Sequence, residues 1–477
     1  MVGCWNCMVL AIFTEVKIIF NMSSFIKQFV IDNLFGYKDI QIDFSEPYKV
    51  LVGENGSGKT TIMNCLYYTL TKKFDLLETV RFARIRIVFS NGHVLDFSKN
   101  EVIAFNDKDN RFRDSQFYRM LSEKVDEKEF VVLRNIVYSN ELELVKADKV
   151  NTRLKNIGFN FNAPSRYIYN NVQKLVHEYV GVEFAHKLEV LDNIPQYSLF
   201  YFPTFRRVES SVMNWDKVLE KIHRRYPFVD RTDLSDYIYD DMIQFGMQDV
   251  KNSISKLTSI IKTRTMDGFS TIMGSMLGQL YKSEDDRRNY RFEEDKIRII
   301  LDRLGENVKK ADKEAIIRYA TSGQLDNKNL NYLIGKLIRL YEDQEVYDLA
   351  IKNFRDTCNG YLQDKKFVYD ESGVNLRIES EYNKDTLDLE CLSSGEKQIV
   401  SLFSKIYLDV EKAFVMLLDE PELSLSIFWQ EKLLPDIIAS NKCKFLLAVT
   451  HSPFIYSDNE LSDYAAGLTD FVKTNHG

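Results

Sequence analysis

Proline is scarce in this sequence and missing from its middle. All eight prolines lie outside residues 228–420. Because proline breaks helices, this long proline-free stretch favours helical structure. No segment rich in proline, glycine or serine divides the chain, so domain borders have to be taken from the positions of motifs.

The chain also has no excess of positive charge, and long apolar runs are scarce. The formal net charge of −7 argues against a broadly basic surface that binds nucleic acid, although a local basic face is compatible with it. No stretch reaches the roughly 18 to 20 apolar residues that a membrane span requires. The apolar run 8–13 is followed by Glu15 and Lys17 and lacks the features of a signal peptide. Because Met22 stands just before the first clear strand, we hypothesise that residues 1–21 are a disordered upstream extension.

Cysteines are few and scattered. Of the six cysteines, only Cys4 and Cys7 form a close pair, and no second pair completes a zinc site. We therefore expect reduced thiols in a cytoplasmic protein. The length of 477 residues predicts one large core and a sizeable insertion or second domain.

One glycine-rich segment stands out against these absences. Residues 53–60 fit the pattern G-x-x-x-x-G-K-[ST], after a predicted strand at 48–52 and before a predicted helix. In such a loop, backbone N–H groups surround phosphate oxygens at a helix N-terminus. Lys59 is predicted to reach the β- and γ-phosphates, and Thr60 to bind Mg²⁺. The predicted ATP-binding residues here are Gly53, Glu54, Asn55, Gly56, Ser57, Gly58, Lys59, Thr60 and Thr61.

A buried-strand pattern at 414–418 ends in two carboxylates. We assign Asp419 to the Mg²⁺ shell. Glu420 is placed to orient or deprotonate the attacking water. Charged residues commonly close strands, so this pattern is weak by itself, but together with the phosphate loop it predicts ATP hydrolysis.

Residues 392–398, Leu-Ser-Ser-Gly-Glu-Lys-Gln, resemble the ABC signature Leu-Ser-Gly-Gly-Gln in the variant found in SMC/RecF-like ATPases. A Ser-Ser-Gly turn that opens a helix offers a hydroxyl, free N–H groups and a positive dipole end to an anion. A simple capped helix start would use the same residues. The resemblance implies that this turn contacts ATP held by the opposite protomer, so that the protein is at least a homodimer. The residues implied are Ser393, Ser394, Gly395 and Glu396.

Further positions match ABC ATPases. Ser424-Leu425 matches the D-loop, and His451, after a predicted strand at 444–450, matches the switch histidine. The resemblance implies that His451 contacts the γ-phosphate or the water, although a lone histidine at a strand end is usually structural. A Q-loop glutamine cannot be assigned, because the first glutamine after the phosphate loop is the distant Gln116. The predicted catalytic residues are Glu420, His451 and Lys59.

The predicted fold class is α/β, an ABC-type P-loop ATPase head with a mixed core sheet, an antiparallel side sheet and a helical insertion. For the side sheet we predict a hairpin over 84–97, turning at Asn91-Gly92, and a further strand at 101–105. Apolar residues spaced by three and four predict helices in the insertion, either an ordinary lobe or the two strokes of a short arm. The predicted segments are 1–21 (extension), 22–210 (N-terminal half of the head), 211–365 (insertion) and 366–477 (C-terminal half).

Segments 201–209 and 244–247 resemble the phage-defence branch of these ATPases, first the AriA subunits of PARIS systems and second the PtuA subunits of Septu systems. Only 26 residues follow His451, whereas overcoming-lysogenisation-defect nucleases, which share this head, carry a toprim nuclease domain there. The resemblance therefore implies a separately encoded effector, a toprim-like toxin nuclease or an HNH nuclease. An oligomer of heads would hold this effector until a phage-encoded trigger releases it.

Two alternatives belong to other functional classes. A RecF/SMC-like repair clamp would bind DNA through basic residues such as Arg206, Arg207, Arg224 and Arg225, but the acidic total and the short insertion count against it. A nucleotide-binding scaffold without hydrolysis is disfavoured by the intact Asp419-Glu420 pair.

Overall fold

The computed structural model describes most of the chain between residues 24 and 474. The described ranges are 24–54, 56–107, 119–121, 125–159, 161, 163–195, 197–202, 247–281, 293–305, 308–322, 327–409, 413–456 and 460–474. Several features predicted from the sequence lie outside them, namely the extension 1–21, Asn55, segments 203–209 and 244–246, and Arg206, Arg207, Arg224 and Arg225.

The described residues form two compact units. The first comprises the described parts of Met1–Ile238, Phe414–Pro421 and Lys444–Gly477, and the second those of Tyr239–Ala413 and Glu422–Cys443. The sequence-based borders at 210 and 365 remain predictions.

The strands are β1 (Ile26–Leu34), β2 (Lys38–Asp43), β3 (Tyr48–Val52), β4 (Arg84–Phe89), β5 (Val94–Ser98), β6 (Ser198–Phe202), β7 (Lys365–Asp370), β8 (Asn375–Ser380), β9 (Thr386–Leu387), β10 (Phe414–Asp419), β11 (Cys443–Thr450), β12 (Ala465–Gly467) and β13 (Val472–Thr474). The helices are α1 (Lys59–Leu70), α2 (Phe74–Leu77), α3 (Lys99–Asn106), α4 (Glu127–Val137), α5 (Glu143–Asn156), α6 (Ser165–Asp192), α7 (Met247–Tyr281), α8 (Glu294–Arg303), α9 (Lys310–Thr321), α10 (Lys328–Glu342), α11 (Glu345–Asn359), α12 (Ser394–Tyr407) and α13 (Ile427–Ile438).

The core sheet of the first unit has the order β12-β3-β11-β10-β6. The pairs β12–β3, β3–β11 and β10–β6 are parallel. Every residue of β10 is buried, as is nearly every residue of β11, because strands covered on both faces are apolar throughout. The carboxyl ends of parallel strands share one edge, so the residues that follow β3, β10 and β11 lie near one another. This confirms the predicted α/β fold class.

The side sheet of the first unit has the order β13-β2-β1-β4-β5, and all its pairs are antiparallel. The predicted hairpin is confirmed as β4 and β5, with Gly92 at a left-handed φ of 85° in the turn. The strand predicted at 101–105 is wrong, because these residues belong to α3. Ser98 and Glu101 form a capping box that starts this helix, and Val102 and Ala104 are buried.

Helices α4, α5 and α6 of the first unit surround a further apolar core, whose members include Leu133, Val137, Val150, Leu154, Ile168, Val172 and Val176. The helical spacing of these residues brings their side chains to one face of each helix. The core therefore extends well beyond the two sheets.

The second unit contains the proline-free helices, together with α12, α13 and a small sheet of order β7-β8-β9. Of the regularly spaced apolar residues that predict α7, Val250, Leu257 and Ile261 are buried and Ile254 is half-buried. Helices α7 to α10 pack around one core, as in an ordinary lobe, with members Ile272, Ile297, Ile300, Leu301, Ile317, Ile334, Leu337 and Tyr341. Within the described ranges, no helix is both long and apolar enough to cross a bilayer.

Candidate active site

The phosphate loop connects β3 to α1 at the carboxyl edge of the core sheet. Gly56 and Gly58 have φ angles of 79° and 104°, a region that residues with a Cβ rarely adopt. Gly58 is the N-cap of α1 and provides no side-chain cap, so the first helical N–H groups are available to an anion. The hydroxyl of Ser57 is buried and lacks a hydrogen-bond partner among the residues placed here, which fits a group held for a ligand. The loop therefore fits a triphosphate.

Lys59 and His451 lie together, although they are 392 positions apart in the sequence. Lys59 is 5% exposed, and its Nζ donates to the carbonyls of Gly53 at 2.7 Å and Glu54 at 2.9 Å. The same Nζ lies 2.6 Å from His451 Nε2. Because an ammonium group only donates, Nε2 of His451 is the acceptor in this contact.

Thr60 and Asp419 form the second close pair. The hydroxyl of Thr60 donates to Asp419 Oδ1 at 2.9 Å, and Asp419 is fully buried at the end of β10. Hydroxyl and carboxylate oxygens are the ligand types that Mg²⁺ prefers. The two residues predicted to bind Mg²⁺ therefore lie together and have the appropriate chemistry.

Glu420 has a different environment from Asp419. Its backbone φ is 51°, a left-handed conformation that costs of order 1–3 kcal/mol for a residue other than glycine and is common at active sites. Its N–H donates to the carbonyl of Val449 at 2.8 Å, and its Oε1 lies 3.4 Å from His451 Nε2. The Glu420 side chain is 22% exposed and Asp419 is fully buried, so Glu420 is the more accessible of the two to a water molecule.

The signature turn (residues 393–396) lies in the second unit at the start of α12. Ser393 accepts a hydrogen bond from the Glu396 N–H, and the Glu396 carboxylate accepts one from the Ser393 N–H at 2.8 Å. Lys365 Nζ donates to both Glu396 oxygens at 2.9 Å. Burial raises the pKa of Glu396, but the hydrogen bonds from Lys365 and Ser393 outweigh it and lower the pKa overall. Glu396 therefore caps the start of its own helix, and its predicted contact with nucleotide stays a prediction. Ser393 and Ser394 are exposed.

Gly395 brings the signature turn into direct contact with the D-loop. A Cβ added to Gly395 would lie 2.5 Å from the carbonyl oxygen of Ser424 and 3.1 Å from the Trp429 ring. Ser424 itself has a left-handed φ of 69°. The turn and the D-loop therefore pack without room for a methyl group.

We expect Gly395→Ala to lower both stability and ATP turnover. The new methyl group meets a backbone carbonyl, and overpacking of this kind typically costs about 1–3 kcal/mol. The measurements are the thermal unfolding midpoint and steady-state phosphate release. Gly274→Ala in α7 is the matched control, because a Cβ there meets nothing within 4 Å. Equal behaviour of the two variants would contradict the tight packing.

Two contacts to the phosphate loop were missed by sequence reasoning. Lys38 Nζ donates to the carbonyl of Ser57 at 3.0 Å, and Leu468 lies beside Gly53. Lys38 is the first residue of β2 and Leu468 directly follows β12, so neither contact belongs to a local motif. A turn at Gly36, which has a φ of 94°, is the sequence signal near the first contact.

Comparisons with known proteins agree with this architecture. A family model described as an AAA ATPase domain matches residues 25–456. No curated protein matches the sequence.

Two solved structures are similar at low identity. One is a crystal structure of an Smc head bound to the C-winged helix domain of ScpA, with 11% identity, a TM-score of 0.31 and 91% of each chain covered. The other is an Smc head domain with an extended coiled coil, bound to the C-terminal domain of ScpA and derived from Pyrococcus furiosus. It has 13% identity and a TM-score of 0.31, and the match covers 94% of this chain and 96% of that one. Similarity this distant carries no functional argument.

The family match includes the phosphate loop, the signature turn, the two carboxylates and His451. Its range of 25–456 runs from the first strand of the side sheet to just beyond His451. The chain belongs to the AAA ATPase domain family.

Proposed function

We propose that this protein binds ATP with Mg²⁺ at the phosphate loop and hydrolyses it to ADP and phosphate. The observation that carries the proposal is the meeting of five side chains at one edge of the core sheet. They are Lys59, Thr60, Asp419, Glu420 and His451. Their chemistry suits these roles: Lys59 offers a cation to the phosphates, and Glu420 offers a carboxylate to the attacking water.

Each residue of the candidate site has its own role. Thr60 and Asp419 would hold Mg²⁺, which when bound neutralises charge on the triphosphate. Lys59 exchanges the carbonyls of the loop for phosphate oxygens. Glu420 orients the attacking water and accepts its proton. Once Lys59 turns away, Nε2 of His451 becomes available to the reacting phosphate or to the water.

We propose that a second copy of the chain completes the site. Ser393 and Ser394 are exposed at the start of the 14-residue helix α12, where the N–H groups that the capping box does not use and the helix dipole favour an anion. The inward position of Glu396 leaves this turn open to a phosphate from outside the protomer. ATP would then join two heads, so the protein would be a homodimer or a larger oligomer.

The composite site can be tested by mixing two inactive variants. Lys59→Ala removes the cation that would bind the phosphates. Ser394→Arg blocks the signature turn that would contact ATP held by the opposite protomer. We expect each variant alone to have little activity, whereas an equimolar mixture regains roughly a quarter of the wild-type rate, since half the dimers then hold one intact site out of two. No recovery in the mixture, or full activity of Ser394→Arg alone, would contradict the shared site.

At a finer level, we propose that the ATPase is the sensor and scaffold subunit of a cytoplasmic, PARIS-like anti-phage complex. It would hold a separately encoded toprim-like nuclease and release it on a phage-encoded trigger; a Septu-like HNH nuclease is the close second. The support is the sequence resemblance described above. Co-purification with the product of the neighbouring gene, with and without ATP, tests it. DNA binding that weakens steeply with salt would instead favour the RecF/SMC-like clamp.

A further inference from the structure

The last described residues of the chain add one strand to each sheet of the first unit. We call residues 465–474 the C-terminal clasp. Its first part, β12, runs parallel to β3 and pairs Gly467 with Val52. Its second part, β13, runs antiparallel to β2 and pairs Thr474 with Lys38. The clasp thereby joins the core sheet to the side sheet.

The parallel pairing brings the clasp to the first residue of the phosphate loop. Because Gly467 lies beside Val52, the next residues of both strands, Leu468 and Gly53, emerge at the same edge. Leu468 is 1% exposed, and its Cβ lies 3.3 Å from the position that a Cβ on Gly53 would occupy. Apart from Ser57 and Lys59 of the loop itself, Leu468 is the nearest group on that side of Gly53.

A second route from the clasp reaches the other end of the loop. Lys38, the partner of Thr474 in β2, donates from Nζ to the carbonyl of Ser57 at 3.0 Å. Between the two strands, the Phe471 ring of the clasp lies 4.7 Å from Lys49 Nζ. The clasp therefore contacts Gly53 directly. It reaches Ser57 indirectly, through Lys38 of the strand with which it pairs.

We infer that the C-terminal clasp is a positioning element of the phosphate loop, with Leu468 as its principal positioning residue. The inference rests on the proposed ATP site and assigns part of its affinity to residues outside every nucleotide-binding motif. A loop binds phosphate only while its N–H groups point at the oxygens, and a site whose support is loosened by a fraction of an ångström loses function. Leu468 supplies such support to Gly53.

The test compares two truncations at Leu468 with the same truncations at Leu95, which is equally buried in β5. Leu468→Ala keeps the Cβ that faces Gly53 but loses the anchor in the core, whereas Leu468→Gly loses both. We expect the Kd of a fluorescent ATP analogue to rise about threefold for Leu468→Ala and about tenfold for Leu468→Gly. KM should follow Kd while kcat changes by less than about threefold, the pattern of lost binding rather than lost chemistry.

The controls separate positioning from stability. Leu95→Ala and Leu95→Gly should lower the thermal midpoint about as much as the matching Leu468 variants do, since truncation at either site leaves an apolar cavity. They should leave the Kd for the ATP analogue within about twofold of wild type. A Kd of Leu468→Gly within twofold of wild type, or equal losses at Leu95, would overturn the inference. If Leu468→Gly does not fold, the comparison of Leu468→Ala with Leu95→Ala decides. Failure of the wild-type protein to bind ATP would overturn the proposed site itself.

Discussion

Glu420→Gln is expected to abolish ATP hydrolysis while leaving ATP binding intact. The substitution keeps the shape of the side chain and removes the carboxylate that accepts a proton from the attacking water. Loss of a general base typically lowers the rate by about 10²- to 10⁴-fold. Glu420 contacts His451 rather than the phosphate loop, so the Kd for ATP should stay within about threefold of wild type. Steady-state phosphate release and equilibrium binding measure the two quantities.

The neighbouring carboxylate provides the contrast for this experiment. Asp419 is fully buried and bonded to Thr60, so Asp419→Asn should weaken the Mg²⁺ dependence of ATP binding as well as turnover. More than about a tenth of wild-type turnover in Glu420→Gln would mean that another group activates the water.

Lys59→Met is expected to weaken ATP binding by about 30- to 100-fold. A hydrogen bond from a charged group contributes roughly 2–3 kcal/mol, and Lys59 is the buried cation of the phosphate loop. Two carbonyls, of Gly53 and Glu54, also lose their donor, so a moderate loss of stability accompanies the loss of affinity. Titration with a fluorescent ATP analogue and thermal unfolding measure both effects.

Lys99→Met is the matched control for Lys59. Lys99 is a half-buried lysine of the first unit, and its Nζ, like that of Lys59, donates to backbone carbonyls, here those of Leu77, Glu78 and Val80. Its removal should therefore lower stability to a comparable degree and leave the Kd for ATP unchanged. Similar losses of affinity in the two variants would show that the effect at Lys59 is structural.

The sequence predicted those parts of the site that depend on local pattern. The phosphate loop was found because its glycines and Lys59 must occupy fixed positions between a strand and a helix. The strand before Asp419 can be recognised in the sequence because a strand covered on both faces is apolar throughout and does not alternate with polar residues. The position of His451 after the two carboxylates makes it a candidate, although nothing local distinguishes it from a structural histidine, and its role stays a prediction.

One error concerned a local signal, whereas other features depended on contacts between distant segments. Residues 101–105 have apolar residues that fit a strand, and the capping box of Ser98 and Glu101 decided for a helix. The contact of Leu468 with Gly53 depends on the register of β12 against β3, which no periodicity encodes. At the signature turn, helix capping and an open phosphate-binding turn were alternatives in the sequence. In the fold, Ser393 and Glu396 cap the helix while Ser394 stays exposed.

The contact between Gly395 and Ser424 has a mechanical consequence. With the carbonyl oxygen of Ser424 only 2.5 Å from the position that a Cβ on Gly395 would occupy, neither backbone can move toward the other. A partner that presses either loop toward the other would therefore displace both.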